Sequence, residues 1–255
     1  MQTIFNRILE ALEGDQECAV ATVVATHGSV PRDVGAKMLI FKDGSTEGTI
    51  GGGSLEQRVI ADAKVALKRK QSFSKDYPLD KKSGFQVCGG KVTVFIDALS
   101  PSKQLVICGA GHIGLALSFM AKLLGFHVTI VDNRRSFANK ERFPHADRII
   151  CKNYPKGLKK LFLNKNTLVV IVTHQHQHDQ ECLEVVLRRD AAYVGMIGSR
   201  AKIKHNFGLL LKKGFTKKEL AKIHAPIGLD IGAESPEEIA VAIAGELIKI
   251  SRSEI

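Results

Sequence analysis

The sequence has no tryptophan and only three tyrosines among its 255 residues. Stacking nucleic-acid bases needs aromatic faces interleaved with basic side chains, and no nucleic-acid motif is recognisable, so nucleic acid is not expected as a partner. No apolar run is long enough to cross a bilayer. The first stretch, MQTIFNRILEALEG, carries Glu10 and Glu13 in an amphipathic pattern and lacks the unbroken apolar centre of a secretion signal. The expectations are therefore a cytoplasmic protein with no membrane association. Cysteine is sparse: Cys18, Cys88, Cys108, Cys151 and Cys182 are scattered, odd in number and never at C-x-x-C spacing. Neither a zinc knuckle nor a disulfide framework follows from them. What is plentiful is positive charge, with a formal net charge of +11. Lysine-rich runs at 68–70, 81–82, 156–165 and 212–218 read first as solvated faces; together they set up a field that attracts an anionic ligand or an acidic protein surface.

The most informative stretch is Gln104 to Asp132. Leu105 to Cys108 is an apolar run typical of a strand buried on both faces. Gly109, Gly111 and Gly114 follow at G-x-G-x-x-G spacing, a helical pattern runs from Ile113 to Leu124, and Phe126 to Val131 forms a second apolar strand closed by Asp132. In a dinucleotide fold these residues have separate tasks. The first glycine permits a tight turn, the second admits a pyrophosphate to the backbone, the third lets helix and strand pack closely, and the acid reads a ribose diol. The strand, helix and acid in this order predict a Rossmann unit that binds NAD or another nucleotide.

Before it, Cys18 to Thr26 reads as a strand, and 26–37 as a loop dense in polar chemistry: His27, Ser29, Arg32, Asp33 and Lys37. A hairpin, Met38 to Lys42 and Thr46 to Ile50, leads into Gly51-Gly52-Gly53-Ser54 and a helix from about Leu55 to Lys70. Three consecutive glycines ahead of a helix predict an anion-binding nest of backbone N–H groups, with Ser54 as the cap. Glycines beside Cys88 predict an accessible, reactive or ligating thiol, while Cys108 in its apolar strand reads as inert core. The polar segment 99–103 separates an N-terminal domain, 1–99, from a C-terminal one, 104–255.

After Asp132, apolar strands at 148–151, 167–173 and 191–197 alternate with helical patterns at 158–163, 180–189 and about 200–213. The fold class expected is α/β, with a Rossmann-like, doubly wound parallel sheet at the C-terminal end and a smaller N-terminal α/β domain. Ligands in such sheets lie beyond the carboxyl ends of the strands. His174, His176, His178 and Asp179 follow the strand at 167–173, and Ser199-Arg200 the strand at 191–197, which puts them at that edge. At most His174, His178 and Asp179 can converge, and a substrate or cofactor contact is favoured over a metal centre. Ser235 and Glu238 form a capping box for a last helix, Pro236 to Ser251.

Seven segments, in order, resemble the XdhC/CoxI family of xanthine dehydrogenase accessory proteins: ATVVATHGSVPRDVGAKMLI, GTIGGGSLE, the Cys88-Gly89-Gly90 stretch, VICGAGHIG, VTHQHQHD, YVGMIGSR and HAPIGLDIGAESPEEIA. The resemblance implies a chaperone that binds the molybdenum cofactor, as molybdopterin or a dinucleotide form, protects it through sulfuration and delivers it to a xanthine-dehydrogenase-type apoenzyme. It brings in a cysteine desulfurase as a candidate sulfur donor. The candidate cofactor contacts are Gly51, Gly52, Gly53, Ser54, Cys88, Gly109, Gly111, Gly114, Asp132, His174, Ser199 and Arg200, with His27, Ser29, Arg32, Lys37, His178 and Asp179 as further ones. Many relatives carry cysteine after the triple glycine; with Ser54 there, a molybdenum-holding role falls to Cys88 or is absent. A homodimer is also expected. The competing reading is an NAD-dependent oxidoreductase of a small substrate, with His174 or His178 as acid or base.

Overall fold

The computed structural model describes residues 2–79, 90–174 and 176–253. The chain divides into two compact units, 1–101 and 102–255.

In the first unit, α1 (Gln2–Glu13) precedes an antiparallel sheet of β1 (Cys18–His27), β2 (Lys37–Phe41), β3 (Thr46–Gly48), β4 (Phe73–Pro78) and β5 (Lys91–Leu99), ordered β3-β2-β1-β5-β4. Helix α2 (Gly53–Arg69) crosses between β3 and β4. Alternation decides the layers. Ala19, Ala21, Val23, Met38, Ile40, Val94 and Ile96 face α2 through Leu55, Val59 and Ala63, whereas Cys18, Val20 and Leu39 face α1 through Ile8 and Ala11. Strand β4 has no counterpart among the sequence expectations. Its central residues, Ser74, Lys75 and Asp76, are exposed on an edge strand, and only Tyr77 is buried. An edge strand solvated over most of its length carries no apolar period to read.

The second unit holds six strands: β6 (Gln104–Cys108), β7 (His127–Asp132), β8 (Arg148–Cys151), β9 (Thr167–Ile171), β10 (Tyr193–Met196) and β11 (Ile223–His224). They run parallel in the order β11-β10-β9-β6-β7-β8. Numbered within the unit this is 6-5-4-1-2-3, the doubly wound order, and its reversal point lies between β6 and β9. Helices α3 (His112–Leu123) and α8 (Pro236–Ser253) cover one face, where Leu117, Ala121, Ile243 and Leu247 pack on Leu105, Ile107, Ile130 and Val170. The other face is covered by α4 (Tyr154–Leu158), α5 (His176–Val186), α6 (Arg200–Lys212) and α7 (Lys217–Leu220), with Leu158, Leu183, Leu210 and Leu220 in its core.

Two sequence expectations shift. The helix expected over 158–163 instead occupies Tyr154–Leu158, because Asn153 caps it by accepting from the Lys156 amide and Pro155 sits in its first turn. Helix α5 begins at His176 rather than Gln180, so the histidine run is not extended. The capping box on α8 forms as expected: the Glu238 amide donates to Ser235 Oγ at 3.2 Å, and Glu238 Oε2 accepts from the Ser235 amide at 3.0 Å.

Candidate functional site

The glycine turn of the second unit lies at the reversal point of its sheet. Gly109 has φ +125°, and a Cβ there would stand 2.3 Å from the Val172 carbonyl oxygen, so only glycine passes between β6 and β9. A Cβ on Gly114 would meet the Gly109 carbonyl at 1.9 Å, which is the close helix-to-strand packing that its spacing predicts. Gly111 caps α3 in an extended conformation with open space where a Cβ would be. Helix α3 thus directs its first N–H groups past Gly111, an arrangement that favours anions.

Asp132 ends β7 beside this turn, and the structure corrects its expected availability. Its side chain is fully buried. Oδ1 accepts from the Arg134 amide and from Arg134 Nε, both at 2.9 Å. Oδ2 accepts from the Ala110 amide and Arg134 Nη2, both at 2.8 Å, and from the Tyr154 hydroxyl at 3.1 Å. A carboxylate offers about four lone-pair positions, so no oxygen remains for a ribose hydroxyl. Burial pushes the carboxyl up, but the Arg134 and Ala110 donors outweigh it and bring its pKa down to about 2. Asp132 is the clasp between the glycine turn and β7.

Arg134 closes over that clasp. Its guanidinium lies 3.9 Å from the centre of the Phe137 ring, and its side chain is 27% exposed. From Tyr154 a chain of rings runs outward, with His178 at 5.1 Å between centroids and His174 a further 5.2 Å on. His174 is exposed at the carboxyl end of β9, and partial burial and the Arg134 charge lower its pKa. His178 Nδ1 contacts Glu181 Oε2 at 3.0 Å.

Asp179 is not available as a ligand contact. It is fully buried, its Oδ1 accepts from Thr173 Oγ1 at 2.6 Å, and its other oxygen meets the Lys202 ammonium at the start of α6. Burial raises its pKa against the pull of Lys202 and Thr173. The convergence of His174, His178 and Asp179 therefore does not form: α5 turns Asp179 inward, and no group of three or more His, Cys, Asp or Glu side chains that could hold a metal exists among the described residues. Ser199 caps α6 by accepting from the Lys202 amide at 3.3 Å, and Arg200 is exposed beside it.

In the first unit, the triple glycine forms a concavity that is already filled. Glu56 Oε1 accepts from the Thr49 hydroxyl at 2.6 Å, the Ile50 amide at 3.1 Å and the Gly52 amide at 2.9 Å. Burial raises the Glu56 pKa, and these donors more than reverse the shift. The nest binds an anion, as its glycines predict, but the anion belongs to the chain. Ser54 is not the cap either; Gly52 is, and Ser54 lies inside α2. The acid four residues beyond Gly52 was the readable signal, since acids near a helix start return to bond its first amides.

The 26–37 loop packs on both glycine segments. A Cβ on Gly51 would meet Pro31 Cγ at 2.5 Å, and one on Gly90 would meet the Ser29 and His27 carbonyl oxygens at 2.2 and 2.7 Å. His27, Ser29 and Arg32 are exposed, and Lys37 donates to Thr22 Oγ1 at 3.0 Å. Cys88 lies outside the described residues.

A parallel six-stranded sheet of this order, with a glycine turn at its reversal point, defines the second unit as Rossmann-type. Residues 105–247 match the family described as the XdhC Rossmann domain and residues 11–78 the one described as the XdhC and CoxI family, and the chain belongs to this family. It is 33% identical over 254 residues to the uncharacterized protein YqeB of Escherichia coli strain K12, covering 98% of this chain but 46% of that protein. It is 26% identical to a probable xanthine dehydrogenase subunit of Bacillus subtilis strain 168, over 96% of this chain and 97% of the relative. It is also 22% identical to the molybdenum cofactor insertion chaperone PaoD of E. coli strain K12, over 98% and 88%. The fold matches that of a xanthine dehydrogenase from Bacillus halodurans, with a TM-score of 0.55 and 24% identity over 98% of this chain and 96% of that one.

Proposed function

We propose that the chain is a maturation factor that binds the molybdenum cofactor as cargo and passes it to an apoenzyme of the xanthine dehydrogenase type. The observation that carries the reading is that both family segments lie in order on one chain, while the likeness to a molybdenum cofactor insertion chaperone runs through 98% of it. The geometry is compatible with that cargo. Gly111 with the start of α3, Arg134 and His174 offer an anion site at one sheet edge. In the first unit Glu56 already fills the glycine nest, so there Gly51, Gly52 and Gly53 shape the backbone under the 26–37 loop instead of holding a phosphate.

Within this reading Cys88 is the thiol that meets molybdenum or a transferable sulfur, the cargo is the sulfurated form, a cysteine desulfurase supplies the sulfur, and the protein works as a cytoplasmic homodimer. The test is reconstitution. The purified chain is mixed with molybdenum cofactor, passed over a sizing column, assayed for retained molybdenum and added to apoenzyme. Co-elution near one metal per chain, with faster activation of the apoenzyme, is expected; loss of all molybdenum on the column rejects the reading. Cys88→Ser is expected to lose retention, and undiminished retention removes the thiol from the proposal. Sedimentation showing only a 27.8 kDa species at micromolar concentration removes the dimer. An NAD-dependent oxidoreductase would need an acid to read the ribose diol, and Asp132 has no oxygen to give.

A further inference from the structure

We infer that Arg134 is the specificity-determining residue of the crevice at the carboxyl ends of β6 and β7, and that this crevice accepts a phosphomonoester in preference to a free ribose diol. A cis-diol is read by a carboxylate that accepts from both hydroxyls at once. Arg134 occupies that same fork on Asp132, with Nε on one oxygen and Nη2 on the other. The Ala110 amide and the Tyr154 hydroxyl take up what is left. A diol would have to displace a charge-assisted, two-pronged pair from a fully buried carboxylate, and two neutral hydrogen bonds do not repay that loss.

Arg134 itself is not exhausted. A guanidinium carries five N–H donors, and the Asp132 fork uses two of them. The Phe137 ring covers one flat face, so the remaining donors lie on the partly exposed edge. A guanidinium edge held rigidly in plane matches the spacing of phosphate oxygens. His174 belongs to the same edge. Its lowered pKa leaves the ring neutral near pH 7, able to donate one hydrogen bond without competing for charge. The start of α3, just past the glycine turn, completes the set of donors, and the carboxylates of Asp132 and Asp179 are both satisfied internally.

Two sources share this chemistry: the 2′-phosphate of an NADP-type dinucleotide and the phosphomonoester of a pterin cofactor. Only the second rests on the function proposed above. The experiment titrates the full chain by calorimetry with NAD+, with NADP+ and with molybdopterin-form cofactor released from a molybdoenzyme, and repeats each with Arg134→Ala and Arg134→Lys. The wild type is expected to bind at least one phosphomonoester ligand about tenfold or more tightly than NAD+. Arg134→Ala is expected to lose that preference by about tenfold and to gain affinity for NAD+, because the Asp132 fork is released. Arg134→Lys, which keeps the charge without the fork, is expected to fall between them and serves where the alanine variant unfolds. NAD+ binding as tight as either phosphorylated ligand, preferences unmoved in both variants, or no binding of any of the three overturns the inference. Retention of molybdenum cofactor with affinity indifferent to both substitutions overturns it while leaving the maturation role standing; NADP+ binding without cofactor binding does the reverse.

Discussion

Five donors converge on the carboxylate of Asp132, and this sets a measurable dependence on pH. Its folded pKa, about 2, lies below the ordinary aspartate value of 3.8. The stabilisation is therefore complete above the unfolded pKa and is lost as pH falls through the folded one. A gap of roughly two units corresponds to about 2.5 kcal/mol. Acid titration monitored by circular dichroism is expected to give a steep fall in stability between about pH 4 and 2. Asp132→Asn is expected to flatten that slope while lowering stability at pH 7 by about 3 kcal/mol. An unchanged slope in the variant would mean that other carboxylates control acid unfolding. Glu56 does the same kind of work in the first unit. Glu56→Ala leaves the Ile50 and Gly52 amides without their partner and is expected to cost about 1–3 kcal/mol in denaturant titration, with Glu56→Gln milder because an amide oxygen can still accept.

Among the elements, α3 is the most constrained by a single atom. The Cβ of Gly114→Ala would lie 1.9 Å from the Gly109 carbonyl, so the helix must lift from its strand. A loss of about 1–3 kcal/mol is expected, with weakened binding of any anion at the turn; a melting temperature equal to the wild type would show that the helix slides freely. This element is legible in the sequence because its residues are set by local geometry: turn, glycine, apolar strand. The doubly wound sheet is legible because β6, β7 and β9 are buried along almost their whole length. The missing pieces fail for physical reasons. Strand β4 shows the solvent three polar residues in a row, and α7 and β11 are too short to display a period. The site is half legible. The sequence identifies Gly109, Gly111 and Asp132 as neighbours, but it does not say that Arg134 turns back onto Asp132, that Tyr154 comes in from α4, or that Glu56 curls into its own glycine nest. Those outcomes depend on rotamers and on contacts between elements, which carry no spacing signature.

At the scale of the whole chain, charge is unevenly divided. The first unit has 13 Lys and Arg against 12 Asp and Glu, and the second 24 against 14, so +10 of the +11 belongs to the Rossmann unit. Much of it is exposed on the helices and loops covering one face of that sheet: Lys156, Lys159, Lys160, Lys212, Lys213 and Lys217. Association with an acidic surface would be steered by this field, and its rate should fall about tenfold or more as ionic strength rises from ~10 to ~150 mM. Surface-plasmon or stopped-flow kinetics with the proposed apoenzyme measure this directly; a rate indifferent to salt would assign recognition to uncharged contacts.

The Ala110 amide has a consequence for how the crevice meets its ligand. Asp132 holds that N–H at 2.8 Å, while the amides on either side of the reversal point, Gly109 and Val172, are bonded to Val131 and Cys108. The turn is stitched down before anything arrives. Deuterium should therefore enter at Ala110 about as slowly as in the central strands even in the empty protein, and added ligand should leave that amide almost unchanged. Such a rigid receptor loses little entropy of its own on binding, so affinity there is governed by which ligand fits the finished shape rather than by how readily the loop can be ordered.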